Sequence, residues 1–335
     1  MDGGWPFDDA PQGEPVASPA SPARLGPGVH QIDGADYHRD PCPEPSLSST
    51  LAKTMLLKSP LHAWVDSPRL NPDWEPTDSK TFDIGRAAHR AVLGAGGDYA
   101  SIPAELLASN GAASTKAAKE WIEAARADGL TPLKADEVDQ IGIMAEKARA
   151  HMLKLNEDLD PARSEMVAIA QIDGVYCRAM LDNVPLDARK PIYDFKTCES
   201  AEPNAVKRAV LNYGYDVQAE HYRQVWQAAT GEDRTFRFIF QEKSAPHEIC
   251  VVELGHDTLF MARKKIARAR EMWRICLDQG VWPRYPVGIT RIDLPEWAMA
   301  QWLERESVEA DHKQRTGEDI LKAAMQFQSP IQKGA

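Results

Sequence analysis

No excess of positive charge, no paired-cysteine motif and no long apolar run occurs in this chain of 335 residues. Each absence excludes a class. A formal charge of −11 argues against a generally basic nucleic-acid coat. It leaves room for a local basic groove, because the field at a site depends on nearby charges more than on the total. The five cysteines, Cys42, Cys177, Cys198, Cys250 and Cys276, are odd in number and form no C-x-x-C. That speaks against disulfides, a zinc site and an iron–sulfur cluster. No apolar stretch approaches about 18 residues, so no membrane span is expected. The first residues lack a basic region followed by an apolar run, so no secretory signal is expected and a reducing cytoplasm fits. Internal repeats, a P-loop, a Rossmann glycine pattern and G-x-S-x-G are missing too.

What is present is a core-forming composition, with 43% hydrophobic residues, behind an unusual start. Residues 1–45 hold nine prolines and six glycines, a composition of linkers and tails. Residues 1–35 are therefore expected to be a disordered tail, 36–295 one domain, and 296–335 a C-terminal helical tail. Within Ser46–Trp64, Ser48 or Ser49 can cap a helix through Leu51, Met55 and Leu56, with Pro60 ending it or opening the next turn. Its hydroxyls and Lys53 either pack or face a phosphate. Over Thr81–Gly94, Ile84, Ala88 and Val92 repeat at four-residue spacing and predict a buried helical stripe. His89 lies one position beyond it, either a half-buried packing residue or a ligand. The alanine-rich stretches 112–125 and 135–155 predict a helical insertion at about 105–157 that covers a sheet.

The chemistry concentrates further on. Glu165–Asp173 and Val175–Asp182 flank Asp173-Gly174, a strong hairpin signal. Pro191–Thr197 supplies a third strand. Asp182 ends the second apolar run and Asp194 sits inside the third. Lys196 follows at i+2, so Asp194 and Lys196 leave the same face. Asp and Lys are depleted in strands, so both need a reason to be there. An acid, an apolar residue and a lysine at that spacing can bring a metal ion and an ammonium to one phosphate. Glu165 reads as a solvated strand start rather than a second-metal ligand. Ala205–Thr230 is helical in period, with Gln218 and Tyr222 one above the other at i and i+4. Thr235–Gln241 and Ile249–Leu254 form another hairpin. Asp257–Gln279 is a long amphipathic helix whose Arg263–Arg274 segment carries six basic residues against Glu271. That run is either a solvated face or a patch for a polyanion. Leu294–Leu303, with Trp297 and Trp302, is helical.

His89 in GRAAH, Asp182, the strand DFKT with Asp194 and Lys196, and Gln218-x-x-x-Tyr222, after an opening segment SLSSTLAK, stand in an order that resembles the PD-(D/E)xK nuclease superfamily. The match is closest to the RecE-like (exodeoxyribonuclease VIII) and lambda-exonuclease-like branch, over about residues 46–290. Two positions depart from the common pattern: LDN stands where Pro-Asp is frequent, and Asp194 where many relatives have Glu. Both keep a carboxylate. The resemblance implies an α/β fold, a restriction-endonuclease-like mixed sheet flanked by helices, with the helical insertion. It implies Mg2+ held by His89, Asp182, Asp194 and the Phe195 backbone carbonyl, with Mn2+ able to substitute. Lys196 would hold the attacking water or the phosphate, while Gln218 and Tyr222 position the phosphate or support Lys196. It further implies an exodeoxyribonuclease on linear double-stranded DNA ends, running 5′ to 3′ and leaving 3′ overhangs for a single-strand annealing protein in phage-type recombination, and a ring-shaped homo-oligomer. An endonuclease or single-strand-specific nuclease of the same fold stays open, as does a catalytically silent DNA-binding relative. The intact Asp182, Asp194 and Lys196 argue against the last.

Overall fold

The computed structural model describes residues 24–76 and 83–319. The expected tail falls largely on residues 1–23, outside the described residues, as do 320–335 at the other end. The chain divides into two compact units, Met1–Arg284 and Tyr285–Ala335.

The first unit runs β1 (Gly28–His30), α1 (Gly34–His38), β2 (Leu47–Ser48), α2 (Ser49–Leu57), α3 (Pro60–Val65), α4 (Asp83–Leu93), β3 (Tyr99–Ser101), α5 (Lys116–Ala127), β4 (Thr131–Leu133), α6 (Ala135–Lys154), β5 (Ser164–Ile172), β6 (Val175–Asn183), β7 (Ile192–Cys198), α7 (Pro203–Tyr213), α8 (Tyr215–Thr230), β8 (Phe236–Glu242), β9 (Ile249–Glu253) and α9 (His256–Gln279). Seven strands form one sheet in the order β1-β5-β6-β7-β8-β9, with short β2 beside β6. The β5–β6 and β8–β9 pairs are antiparallel and β7–β8 is parallel. The sheet is therefore mixed, with helices on both faces, as the α/β expectation required.

Alternation along the strands decides which helices cover which face. Ile192, Ala179, Leu181 and Phe238 pack with Leu51, Val217, Trp226 and Trp273 from α2, α8 and α9. Tyr193, Phe195 and Ile239 point the other way, against Ala88, Val92, Met144 and Ala148 from α4 and α6. Helix α2 starts where its cap predicts: Ser48 Oγ accepts from the Leu51 N–H at 3.3 Å. Ser59 caps α3, which opens on Pro60.

Three expectations need correcting. Packed structure begins before residue 35, because β1 pairs with Val167–Ile169 of β5. The alanine-rich insertion also contains β4, which forms a two-stranded parallel sheet with β3, while its α6 covers the sheet as expected, Met144 and Ala148 packing with Tyr193 and Phe195. The helix read over 205–230 is broken at Gly214, at φ +62°. A Cβ there would stand 3.0 Å from Lys53 Cδ, so the break depends on a residue without one.

The basic run on α9 is an internal charge ladder. Arg263 pairs with Glu220, Lys265 with Asp216, Arg268 with Glu271, Arg270 with Asp173 and Arg274 with Asp278. Lys264 lies over the Phe260 ring. A buried pair also ties the N-terminal segment to the sheet. Arg178 Nη1 stands 3.2 Å from Asp40 Oδ2 and donates to the Ser46 carbonyl at 3.0 Å. Asp40 Oδ2 in turn accepts from the Ser46 N–H at 2.8 Å.

The second unit contains α10 (Glu296–Thr316), the helix expected around 294–303; none of its residues is buried. No described helix is long and apolar enough to cross a membrane.

His221, on α8, is fully buried, with Nε2 3.0 Å from the Arg178 carbonyl. Burial pushes its pKa down to about 4. A histidine held neutral in the fold but free to protonate when unfolded favours unfolding once the pH drops below about 6.5. Its contribution should fall as the pH goes from about 6.5 to about 4, by on the order of 3 kcal/mol in all. Urea unfolding across that window should show a shallower pH slope in His221→Gln than in the wild type.

Candidate active site

The site lies where the sheet opens. Among the described residues, the β6–β7 ladder consists of the pair Asn183–Tyr193. Two residues further along β7, the Phe195 N–H finds no backbone partner on β6. The Asp182 side chain takes that place, its Oδ2 accepting from the Phe195 N–H at 2.8 Å. The N–H and C=O of one strand residue project toward the same neighbour, so the Phe195 carbonyl also faces the opening.

Two clusters meet at this fork. On one side, His89 of α4 sets Nε2 3.2 Å from Asp182 Oδ2 and Nδ1 3.8 Å from Glu165 Oε1. Burial opposes charge on the imidazole, but Asp182 and Glu165 outweigh it and raise the His89 pKa. Burial likewise opposes the Asp182 carboxylate, and His89 and Lys196 hold its pKa below the ordinary value all the same. On the other side, Lys196 Nζ stands 2.5 Å from Asp194 Oδ1, and Gln218 Nε2 donates to Asp194 Oδ2 at 2.7 Å. Asp194 is 1% exposed. Burial first, then the Asp182 charge, pushes its pKa up to about 6, against the pull of Lys196. Lys196 moves the opposite way: burial works against its charge, but Asp194 and Asp182 keep it firmly protonated. Tyr222 is buried, which holds its phenol protonated, with a hydrogen bond to Ser49. Gln218 thus touches Asp194 rather than Lys196.

The sequence profile described as a PDDEXK-like domain of unknown function (DUF3799) matches residues 48–292, most of the chain. The chain belongs to this PDDEXK-like family. A solved structure from Eubacterium rectale, whose name carries a provisional exonuclease assignment, superposes with a TM-score of 0.53 at 14% identity, covering 81% of this chain and 98% of that one. An alkaline exonuclease from Laribacter hongkongensis, LHK-Exo, matches at 13% identity over 60% of this chain and 95% of that one, with a TM-score of 0.25. Its complex with dAMP matches at 12% identity over the same shares, 60% and 95%, with a TM-score of 0.26. At such identities the first likeness bears on the fold, and the other two add no argument. No curated protein sequence matches the chain.

In this PDDEXK-like domain, His89, Asp182, Phe195, Asp194, Lys196, Gln218 and Tyr222 converge on one region from four elements, α4, β6, β7 and α8. Glu165 joins them, although its sequence context suggests only a solvated strand start. At φ +52° its backbone leaves the extended path, a conformation that hydrophobic alternation cannot signal. Burial and the Asp182 charge raise its pKa. The donors suit a hard divalent cation: carboxylate oxygens, one imidazole and a carbonyl. Asp194 Oδ1 is buried, with the charged Lys196 ammonium 2.5 Å away. As they stand, no three His, Cys, Asp or Glu side chains among the described residues are grouped to hold an ion. The imidazole lies against Asp182 and the ammonium against Asp194 instead.

Two cavities flank the fork, of about 790 Å³ and about 670 Å³, and Lys196, Met180 and His38 line both. The first reaches Gly96, on the loop after α4. Gly96 has φ +102°, and a Cβ there would stand 2.9 Å from Glu165 Oε1 and 3.5 Å from His89 Nδ1. Gly96→Ala should therefore destabilise the fold by about 1–3 kcal/mol. By pushing Glu165 aside it should also lower the His89 pKa, read by NMR titration. Gly97→Ala next door, with nothing nearer than 3.9 Å to its Cβ, should change neither.

Proposed function

We propose that this PDDEXK-like domain is a magnesium-dependent exodeoxyribonuclease acting on the ends of linear double-stranded DNA. The observation that carries the reading is the pair of carboxylates facing each other across an opened strand pair, with a charged lysine against one of them. Phosphodiester hydrolysis requires an activated water and compensation for charge on the phosphate oxygens. Asp182, Asp194, the Phe195 carbonyl and His89 would hold a divalent ion, which would supply both kinds of help. Loading it requires His89 to turn from Asp182, or Asp194 to part from Lys196. Manganese substitutes, since an imidazole is a softer ligand than a carboxylate.

The chain's own groups do the rest. Lys196, kept charged by its two acids, steadies the attacking water or the negative charge that grows on the phosphate. Gln218 holds Asp194 in place through Oδ2 and leaves Oδ1 to Lys196. Tyr222, protonated throughout the neutral range, offers its hydroxyl as a donor. Glu165 fixes His89 from behind, through the ring nitrogen that does not face Asp182. The resemblance to the RecE-like branch adds the finer reading: 5′-to-3′ digestion leaving 3′ strands for an annealing protein in phage-type recombination, carried out by a cytoplasmic ring of identical subunits.

With magnesium, the protein should degrade linear duplex DNA and spare covalently closed circles. Cutting of the circles would instead make it an endonuclease, and cutting of neither would make it a silent relative. Chelation should stop digestion and manganese restore it. Lys196→Ala should lower turnover by about 10²–10³-fold while the circular dichroism and unfolding midpoint stay close to wild type. Activity within a few fold of wild type in that variant would exclude the role given to Lys196.

A further inference from the structure

The two cavities that meet at Lys196 have different walls. The first carries Arg86 and the glycines Gly85, Gly96, Gly97 and Gly129, with Asp33 and Glu165. The second carries Trp74 between Asp73 and Glu75, together with Asp66 and Arg178. The three acids are exposed and Trp74 is half-buried.

The segment bearing Trp74 is anchored. The Arg69 guanidinium donates to the carbonyls of Asp40, Cys42 and Pro43 at 3.3, 2.8 and 3.4 Å. Asn71 Nδ2 donates to the Val65 carbonyl at 2.9 Å, and the Trp74 N–H donates to the Asn71 carbonyl at 3.2 Å. The indole is thus held at the cavity by a fixed turn. Arg178 is 4% exposed; its charge is met by Asp40, but its Nε has no partner. The wall therefore combines Trp74 and a negative rim with Asp182 and the Lys196 ammonium at its inner end.

These features sort the parts of a nucleotide. A phosphate beside Lys196 is attracted, but one carried on past it meets the three rim carboxylates and is repelled. A base is not, and stacking on an indole favours any base, because each has a π face. A cavity of about 670 Å³ has the size of an ordinary small-molecule pocket. It suits one nucleotide better than a continuing duplex.

We infer that the second cavity is a subsite for the nucleobase of the last nucleotide of a DNA strand, stacked on Trp74, and that Asp66, Asp73 and Glu75 keep the strand from running on past it. This rests on the nuclease reading and deepens it. A strand that cannot continue beyond the fork presents only its end to Lys196, so the selectivity for ends is built into the rim.

The test uses a linear duplex with 2-aminopurine as the terminal base, mixed with the full-length protein in calcium, while a dye at the far end reports binding by anisotropy. Emission should fall on binding to the wild type and to Trp74→Phe. It should stay unchanged with Trp74→Ala, and also when the probe is ten bases inside the duplex. Unchanged emission with the wild type, or an equal fall with Trp74→Ala, overturns the subsite. In magnesium, Trp74→Ala should lose about tenfold or more in kcat/KM on linear duplex. The triple variant Asp66→Asn, Asp73→Asn, Glu75→Gln should begin to cut covalently closed single-stranded circles; unchanged sparing of circles overturns the role of the rim. A wild type that cuts no DNA in magnesium or manganese refutes the nuclease reading, whatever the 2-aminopurine signal does.

Discussion

The parting of β6 from β7 is the constraint on which the site depends. Once the two strands diverge past Asn183 and Tyr193, the backbone of Phe195 loses its neighbour. An unpaired N–H at depth costs free energy comparable to a lost hydrogen bond. Asp182 meets that need with one carboxylate oxygen and is fixed at the fork by doing so. The same opening lets side chains from opposite faces of the sheet approach one another. His89 reaches Asp182 from the face covered by α4, and Gln218 reaches Asp194 from the face covered by α8. An unbroken ladder would have kept them apart.

Charge balance follows from that geometry. Three acids, Glu165, Asp182 and Asp194, crowd the fork, and burial disfavours each of them as an anion. Lys196 compensates, and the acids in turn favour the charged form of His89 by raising its pKa. The carboxylate with the ammonium beside it still has a pKa displaced upward, to about 6, because it is the more completely buried and has Asp182 near it. Such an arrangement is poor for stability and suited to chemistry. The resting contacts, imidazole to one acid and ammonium to the other, are those a divalent cation would have to replace.

Much of this was legible in the sequence, and the rest was not for identifiable reasons. Asp182, Asp194 and Lys196 stand out because they break strand composition, and the Asp173-Gly174 turn sets the register of Asp182 against β5. Helix α4 followed from its apolar stripe. Glu165 did not stand out, since its role comes from a left-handed backbone angle and from Gly96 closing over it. The break at Gly214 was hidden because the apolar period continues on both sides; only the contact with Lys53 shows why the chain turns there. Asp40 and Arg178 lie far apart in sequence, and nothing local marks them as a buried pair. In each case the missing information was a long-range contact.

The basic run on α9 shows how the same limit affects functional reading. In sequence, six cations against one acid suggest a surface for a polyanion. In the fold, five of them face carboxylates, three of these from other elements, and the sixth covers an aromatic ring. Three of these pairs tie α9 to α8 and to the β5–β6 turn, and the other two lie along α9 itself. In the nuclease reading proposed above, affinity for nucleic acid would come from groups near the fork rather than from a broad coat. A protein that neutralises few phosphates releases few counterions, so its binding weakens only slowly with salt. That suits a site working on the end of a strand, where contacts along the duplex contribute little to choosing the bond, and it reconciles a nuclease reading with a chain of net charge −11.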